Sequence, residues 1–239
     1  MLTSTNAIVL SKIKYRDTDL IIKCYTEHLG VLSFLVRGVL KNKKGGTKIA
    51  YFQLLSQLQI VLSYKNNKSL QTIKETKTNH IYSTLHSNVL KSSIVMFLSE
   101  VLANTLKEEE ENEALYSYLE NTLLWLDAHQ DYANFHLLFL LKLTKYLGFY
   151  PDTTAISYPF FNLKEGAFQL KPTDKYSITN EDITLLKTLL NTSFDSLHNI
   201  KISAKQRQSF LSMILLYFEL HLGHFTHPKS LLIFNQVFR

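Results

Sequence analysis

The stretch AIVLSKIKYRDTDLIIKCYTEHLGVLSFLVRG, residues 7–38, decides the fold. Apolar positions alternate with polar ones over residues 7–13, and residues 20–26 are rich in Ile and Tyr, as β-strands are. Residues 27–30 end in a glycine, which adopts positive φ at no steric cost, so they predict a turn. A third strand follows over residues 31–36. The stretch therefore predicts three consecutive strands.

Two more strands follow this stretch. A lysine-rich loop is predicted over Val39–Lys48, and Leu58, Ile60, Leu62 and Tyr64 then alternate as in a half-buried strand. Residues 65–68 predict a hairpin that leads into a fifth strand over residues 69–77. Five short strands with basic loops predict a small closed sheet of the five-stranded OB type.

The hydrophobic period changes from 2 to 3.6 after about residue 79, which indicates helices. We predict helices over residues 86–106, 113–128 and 132–147, from Thr179, from Ser203 to about 223, and over roughly 228–237. Residues 152–178 are predicted to be irregular. The fold class is thus α+β, with an OB-type barrel over residues 1–79 and a helical domain over residues 80–239 that carries an irregular insertion.

Charge is distributed unevenly along the 239 residues. The net charge is +6, but residues 1–80 hold thirteen Lys and Arg against four Asp and Glu, while residues 81–239 hold thirteen against sixteen. Basic residues concentrated in one segment favour a nucleic-acid-binding surface in that segment.

The candidate DNA-binding residues are the cations of the predicted barrel loops. Flexible Lys and Arg side chains neutralise phosphates without reading sequence, and OB folds bind oligonucleotides with these loops. The candidates are Lys14, Arg16, Arg37, Lys41, Lys43, Lys44, Lys48, Lys65 and Lys68. Tyr15, Phe34 and Tyr51 are candidate stacking partners for bases. The alternatives are a solvated loop that aids solubility and aromatic residues that fill the barrel core.

The sequence offers little for catalysis or metal binding. Its single cysteine, Cys24, lies in a predicted strand and excludes an internal disulfide or a cysteine-rich zinc site. His221, His224 and His227 could bind a metal only if the helix continued past Gly223, which we do not expect. We predict no cofactor, no catalytic residue and no metal. The absence of a signal peptide and of a membrane-spanning stretch favours the reducing cytoplasm.

Several segments resemble the RecO family of recombinational DNA repair proteins. Residues 7–10, 15–20 and 25–30 are similar to its opening strand, its acid-flanked loop and its "TE..G" turn. Arg37-Gly38 resembles the "(R/K)GA.R" segment, and residues 52–55 loosely resemble "LQPF". These last two matches precede the helical region.

Two further matches lie in the helical region and follow the family's order. Phe135 to Pro151 is similar to the "FEL.LL..LGY.P" helix, and Lys229-Ser230-Leu231 with Phe234 is similar to the "KS…LF" end. The resemblance implies an OB fold followed by helices. It also implies binding to single- and double-stranded DNA, strand annealing, loading of recombinase, and partnership with RecR, RecA and single-strand-binding protein.

Two expectations about the helical domain follow from this resemblance. Many family members carry a four-cysteine zinc module, but residues 152–170 hold no cysteine, so zinc is not expected here. The acidic, apolar-ended tail of single-strand-binding protein is expected in a groove of the helix over residues 132–147. The candidates for this site are Leu138, Leu141, Lys142, Lys145, Phe149 and Arg207. The alternative is that Lys142 and Lys145 only form the solvent-exposed edge of that helix and keep it soluble.

Other functions remain open at this point. A general RNA- or DNA-binding OB module without a repair role would have the same basic loops. An enzyme is disfavoured, because the sequence lacks a phosphate-binding glycine loop, a GxSxG motif and the deaminase zinc motif.

Overall fold

The computed structural model describes residues 2–40, 46–106 and 111–238, and only the backbone of residues 46–48 and 180. The chain forms two compact units. The first unit is Met1–Ala128 with Pro228–Ser230, and the second unit is His129–His227 with Leu231–Arg239. The domain boundary that we place between residues 79 and 80 stays a prediction.

The first unit contains the expected closed barrel. Its strands are β1 (Leu2–Tyr15), β2 (Asp19–Thr26), β3 (Gly30–Val36), β4 (Gln57–Ser63) and β5 (Leu70–Thr78). They are ordered β1-β2-β3-β5-β4 around the barrel. The prediction of an OB-type barrel from the strand periodicity is confirmed.

The long first strand closes the sheet. Residues 2–8 of β1 pair with β4, and residues 7–15 pair with β2. A bulge between Val9 and Ser11 bends the strand, so it serves both neighbours. A short parallel pairing of Ser33 and Phe34 with β5 completes the barrel.

Inward-facing residues of all five strands fill the barrel, and the helix α1 (Gly46–Tyr51) with Phe52 packs against one end. Cys24 is fully buried in this core, as its strand position suggests. The predicted loop over Val39–Lys48 is wrong at its end, because α1 begins at Gly46. A six-residue helix beside a glycine and lysine run leaves too few periodic apolar positions to detect.

Two helices pack on the barrel within the first unit. They are α2 (Val89–Thr105) and α3 (Glu113–Ala128), close to the predicted ranges. The Lys23 Nζ donates to the Ala103 carbonyl at 3.3 Å, and the Gln57 amide donates to the Glu120 carbonyl at 3.0 Å. These bonds tie β2 to α2 and β4 to α3.

The second unit is mostly helical. Its helices are α4 (Phe135–Tyr146), α5 (Asn180–Leu190), α6 (Ala204–His221) and α7 (Leu231–Val237). α4 ends at Tyr146, two residues before the expected stop signal Gly148, which has φ of 85°. The predicted capping box at Ser203 and Gln206 is present, whereas Thr179 makes no side-chain cap bond although α5 begins beside it.

Residues 152–178 are not wholly irregular, so that prediction is corrected. They contain a small sheet of β6 (Phe160–Asn162), β7 (Ala167–Gln169) and β8 (Ser177–Ile178), ordered β7-β6-β8. Strands of two or three residues are too short to produce an alternating pattern. Across the three described ranges, no helix is both long and apolar enough to span a membrane.

Candidate nucleic-acid interface

Two loops of the barrel are tied together at one end. The β1–β2 turn lies between Tyr15 and Asp19, which pair across the strands. The Thr18 carbonyl accepts a bond from the Leu40 N–H at 2.9 Å, and the Asp19 carboxylate accepts one from the Gly38 N–H at 2.8 Å. The β1–β2 turn is therefore bonded to the segment that follows β3.

These bonds bring two of the predicted cations to one site. Arg16 and Arg37 are both exposed and line a shallow cleft of about 520 Å³, which we call the arginine cleft. Its other lining residues are Asp17, Thr18, Asp19 and Gly38. Arg16 has φ of 52°, and its guanidinium lies 5.2 Å from the centre of the Tyr15 ring.

Neither arginine of the cleft forms an ion pair with a described residue. Within the described part of the chain, the ion pairs closer than 4.0 Å all have histidine as the basic partner. Guanidinium groups present a planar fork of donors that matches the oxygens of a phosphate. The cleft is therefore chemically suited to an anionic ligand.

Asp19 is the acidic residue of this basic cleft. The Gly38 N–H bond is the main reason that the pKa of its carboxyl lies below the ordinary value, although partial burial opposes it. The Thr18 hydroxyl and the charges of Arg16 and Arg37 lower that pKa further. Asp19 therefore stays ionised in this cleft.

The β4–β5 hairpin carries two more predicted cations. Lys65 and Lys68 are exposed, and the buried Gln71 side chain organises the backbone between them. Its amide donates to the Lys65 and Lys68 carbonyls at 2.8 and 2.7 Å, and its oxygen accepts from the Lys65 N–H at 3.0 Å. These three bonds fix the conformation of the turn in the free protein.

The remaining predicted cations lie elsewhere. Lys14 is exposed at the end of β1, opposite Leu20. Lys41, Lys43 and Lys44 lie outside the described residues, as does the side chain of Lys48. Their contribution to DNA binding stays a prediction.

The candidate stacking residues differ sharply in exposure. Phe34 is fully buried in the barrel core, and Tyr51 packs against that core, so the alternative interpretation holds for Phe34. Tyr15 is 36% exposed beside Arg16 and remains able to meet a base.

The groove predicted on α4 is not present as described. Leu138 and Leu141 are completely buried, and Phe149 packs in the core with its ring stacked on His221 at 5.1 Å between centres. These three residues therefore do not line an open surface groove. A helix that is apolar around most of its circumference is buried on most sides.

The cations predicted for the same groove have different environments. The half-buried Lys142 Nζ donates to the Leu190 carbonyl at the end of α5, and burial lowers the pKa of its ammonium. Arg207 donates to Asn134 and to the Ile202 carbonyl. Lys145 is exposed. Lys142 and Arg207 thus support the internal packing of the second unit.

The insertion over residues 152–178 is organised by an amide. The buried Asn162 Nδ2 donates to Thr173, Asp174 and Ser177, and its Oδ1 accepts from the Lys164 and Glu165 N–H groups. These residues do not fit a thiolate zinc site. Over the described ranges, no cluster of three metal-ligating side chains is present, and His221 bonds instead to the Leu163 carbonyl.

Three residues that shape these sites were not predicted from the sequence, namely Asp19, Gln71 and Asn162. Each is a buried or partly buried polar residue beside a turn. Asp19 had a signal in the sequence, since it is one of four acidic residues among the first 80. Gln71 and Asn162 had none, because an isolated amide near a turn does not show which neighbouring backbone groups it will bond.

Comparison with known proteins gives a consistent result along the whole chain. The family model "Recombination protein O N terminal" matches residues 1–82, and "Recombination protein O C terminal" matches residues 86–231. Proteins named DNA repair protein RecO are 45% identical in Christiangramia forsetii and 43% identical in Flavobacterium johnsoniae. One from Phocaeicola vulgatus is 34% identical. Each of these alignments covers 100% of both chains.

Proposed function

Since this chain belongs to the RecO family of DNA repair proteins, we propose that it works by binding DNA rather than by catalysis. The DNA would be single- or double-stranded. The protein would promote annealing of complementary strands and help to load recombinase onto DNA covered by single-strand-binding protein. The cytoplasm is the proposed compartment.

The arginine cleft is the observation that carries this proposal. Two exposed guanidinium groups, at Arg16 and Arg37, lie at one barrel end without acidic partners within 4.0 Å among the residues described. Lys65 and Lys68 add exposed charges on the hairpin between β4 and β5. Contacts of this kind bind phosphates of any sequence, which suits both DNA forms.

Annealing follows physically from such contacts. Two complementary strands repel each other through their phosphates, and cations that neutralise those phosphates lower the repulsion. Backbone contacts leave the base edges free to pair. No bond is made or broken in the protein, so no catalytic residue is required.

The protein partners proposed are RecR, RecA and single-strand-binding protein, on the basis of family membership. The acidic tail of single-strand-binding protein is proposed to bind the second unit. Among the six residues predicted for it, Lys145 is the exposed cation. An exposed cation suits the carboxylates of such a tail.

A general nucleic-acid-binding role without repair partners is the second candidate, because the basic loops alone would support it. Native mass spectrometry with RecR and with single-strand-binding protein separates the two. A complex with either protein supports the repair role. Loss of both complexes, with DNA binding intact, supports the general role.

The DNA-binding proposal is tested by charge reversal in the arginine cleft. Arg16→Glu with Arg37→Glu is expected to weaken binding of a fluorescent single-stranded oligonucleotide by about tenfold or more, since two phosphate contacts become repulsive. The control is Lys164→Glu with Lys171→Glu, the same charge change at exposed sites of the second unit. Equal affinity of both variants would remove the cleft from the DNA-binding surface.

A further inference from the structure

Asp19 is an acidic residue that lines a cleft we propose to bind DNA. A carboxylate near phosphates repels them, so its presence in the arginine cleft needs a reason. Asp19 lines this cleft together with Arg16 and Arg37. Neither arginine approaches it within the 4.0 Å that defines an ion pair.

The hydrogen bonds of Asp19 provide that reason. One oxygen of its carboxylate accepts from the Gly38 N–H at 2.8 Å and from the Thr18 hydroxyl at 3.0 Å. Gly38 directly follows Arg37 and has φ of 66°, a conformation that favours glycine. The bond therefore holds the backbone beside Arg37 against the turn that carries Arg16.

We propose that Asp19 is a positioning residue that sets the distance between Arg16 and Arg37, so that an acidic side chain strengthens DNA binding. This inference rests on the proposed function of the cleft. Two cations contact neighbouring phosphates only when their spacing is maintained. Pre-organising them in the free protein removes an ordering cost from the binding step.

Electrostatic repulsion alone predicts the opposite effect of removing Asp19 on the affinity for DNA. If Asp19 acted only through its charge, its removal would relieve repulsion and tighten DNA binding. Asp17 is a matched control, because it is exposed in the same turn and lines the same cleft. No hydrogen bond or ion pair of its side chain occurs among the described residues.

The experiment measures affinity for a fluorescent single-stranded oligonucleotide over a range of salt concentrations. Asp19→Ala is expected to weaken binding by about tenfold, the cost of one charge-assisted contact. Its plot of log affinity against log salt should be shallower by about 0.7, the value of one lost phosphate contact. Asp19→Asn keeps an acceptor for the Gly38 N–H and is expected to restore binding to at least the wild-type value.

Asp17→Ala is expected to bind as tightly as wild type or more tightly. Thermal unfolding by circular dichroism checks that each variant is folded. If Asp19→Ala does not fold, Asp19→Leu, which is similar in size and lacks the acceptor, takes its place. Only a positioning role makes the slope shallower, because loss of an acidic charge alone does not reduce the number of phosphates contacted.

The result that overturns the inference is an Asp19→Ala variant that binds as tightly as Asp17→Ala, with an unchanged slope. The arginine variants separate this failure from that of the proposed function. If Arg16→Glu with Arg37→Glu still loses affinity, the cleft binds DNA and only the role of Asp19 is wrong. If those arginine variants keep full affinity, the proposed function of the cleft fails as well.

Discussion

His136 is a titratable side chain that is fully buried in the second unit. It is 0% exposed on α4, and its ring lies 4.8 Å from Phe234 and 5.7 Å from Phe238 between centres. Neither ring nitrogen has a hydrogen-bond partner among the described residues. Burial lowers the pKa of this imidazole to about 3, with a smaller effect of the Arg207 charge.

The His136 imidazole makes the stability of the protein fall in acid. Its pKa in the folded state lies below the ordinary value of 6.5. The stability that the neutral imidazole contributes is therefore fully present above pH 6.5 and is lost as pH falls toward 3. The loss approaches about 1.4 kcal/mol per pH unit in this window. His136→Leu is expected to reduce that slope in urea unfolding at pH 7, 6, 5 and 4.

The control for this prediction is His224→Leu, which changes an exposed histidine of the same unit. It should keep the acid loss of the wild type. An unchanged slope in His136→Leu would mean that another group causes the acid loss.

For single residues, the sequence predicted which cations lie in the barrel loops, but it did not predict which of them lie close together. Arg16 and Arg37 are 21 positions apart, and only the bonds at Gly38 and Leu40 bring their loops together. In the same way, sequence predicts that Leu138 is apolar and helical, but which side of a mostly apolar helix faces solvent depends on its neighbours.

Among the elements of the first unit, α2 and α3 are linked by a buried polar network. The Asp127 carboxylate accepts from the N–H groups of Ser83, Thr84 and Leu85 at 2.7 to 2.9 Å. Lys91 is completely buried and donates to the Asp127 carbonyl at 2.8 Å. Burial alone would raise the pKa of the Asp127 carboxyl, but its backbone bonds hold that pKa below the usual value.

Removal of this carboxylate should destabilise the first unit. Asp127→Ala leaves three backbone N–H groups without their acceptor and removes the nearest acidic charge from Lys91. We expect the free energy of unfolding to fall by about 3 kcal/mol, measured by urea denaturation. Ser117→Ala, at an exposed site on the same helix, should change it little. Equal stability of the two variants would contradict this role.

The Asn162 side chain makes five hydrogen bonds to the turns that flank the small sheet β6-β7-β8. Asn162→Ala is expected to lower the free energy of unfolding by about 2 kcal/mol, because it removes the part-buried hydrogen bonds of a buried amide. Lys164→Ala, an exposed change in the same turn, serves as the control. A chelator is expected to leave the melting temperature unchanged, since structural zinc would contribute to folding directly. One zinc per chain in elemental analysis would overturn this expectation.

Most elements were predictable from their periodicity and end signals, provided that they were long enough to show a period. The strands of the barrel and the helices α2, α3 and α6 have enough residues for a period to emerge. The sheet β6-β7-β8 and the helix α1 do not, because they have two to six residues each. Their formation depends on contacts such as those of Asn162, which no local pattern encodes.

For the whole molecule, the separation of charge is the basis of the functional account. Residues 1–80 carry an excess of basic residues, and the arginine cleft and the β4–β5 hairpin lie in that segment. Residues 81–239 are slightly acidic, so attraction to DNA does not come from that part as a whole. The central claim is that cations of the barrel loops hold DNA through its phosphates.

The salt dependence of binding tests this claim most directly. The affinity of the wild-type protein for single-stranded oligonucleotides of two unrelated sequences is measured across a range of salt concentrations. If the barrel cations bind phosphates, affinity should be equal for both sequences and log affinity should fall linearly with log salt. The slope should be about −0.7 for each phosphate contacted, or near −3 for four or five contacts. A slope near zero, or strong preference for one sequence, would contradict it.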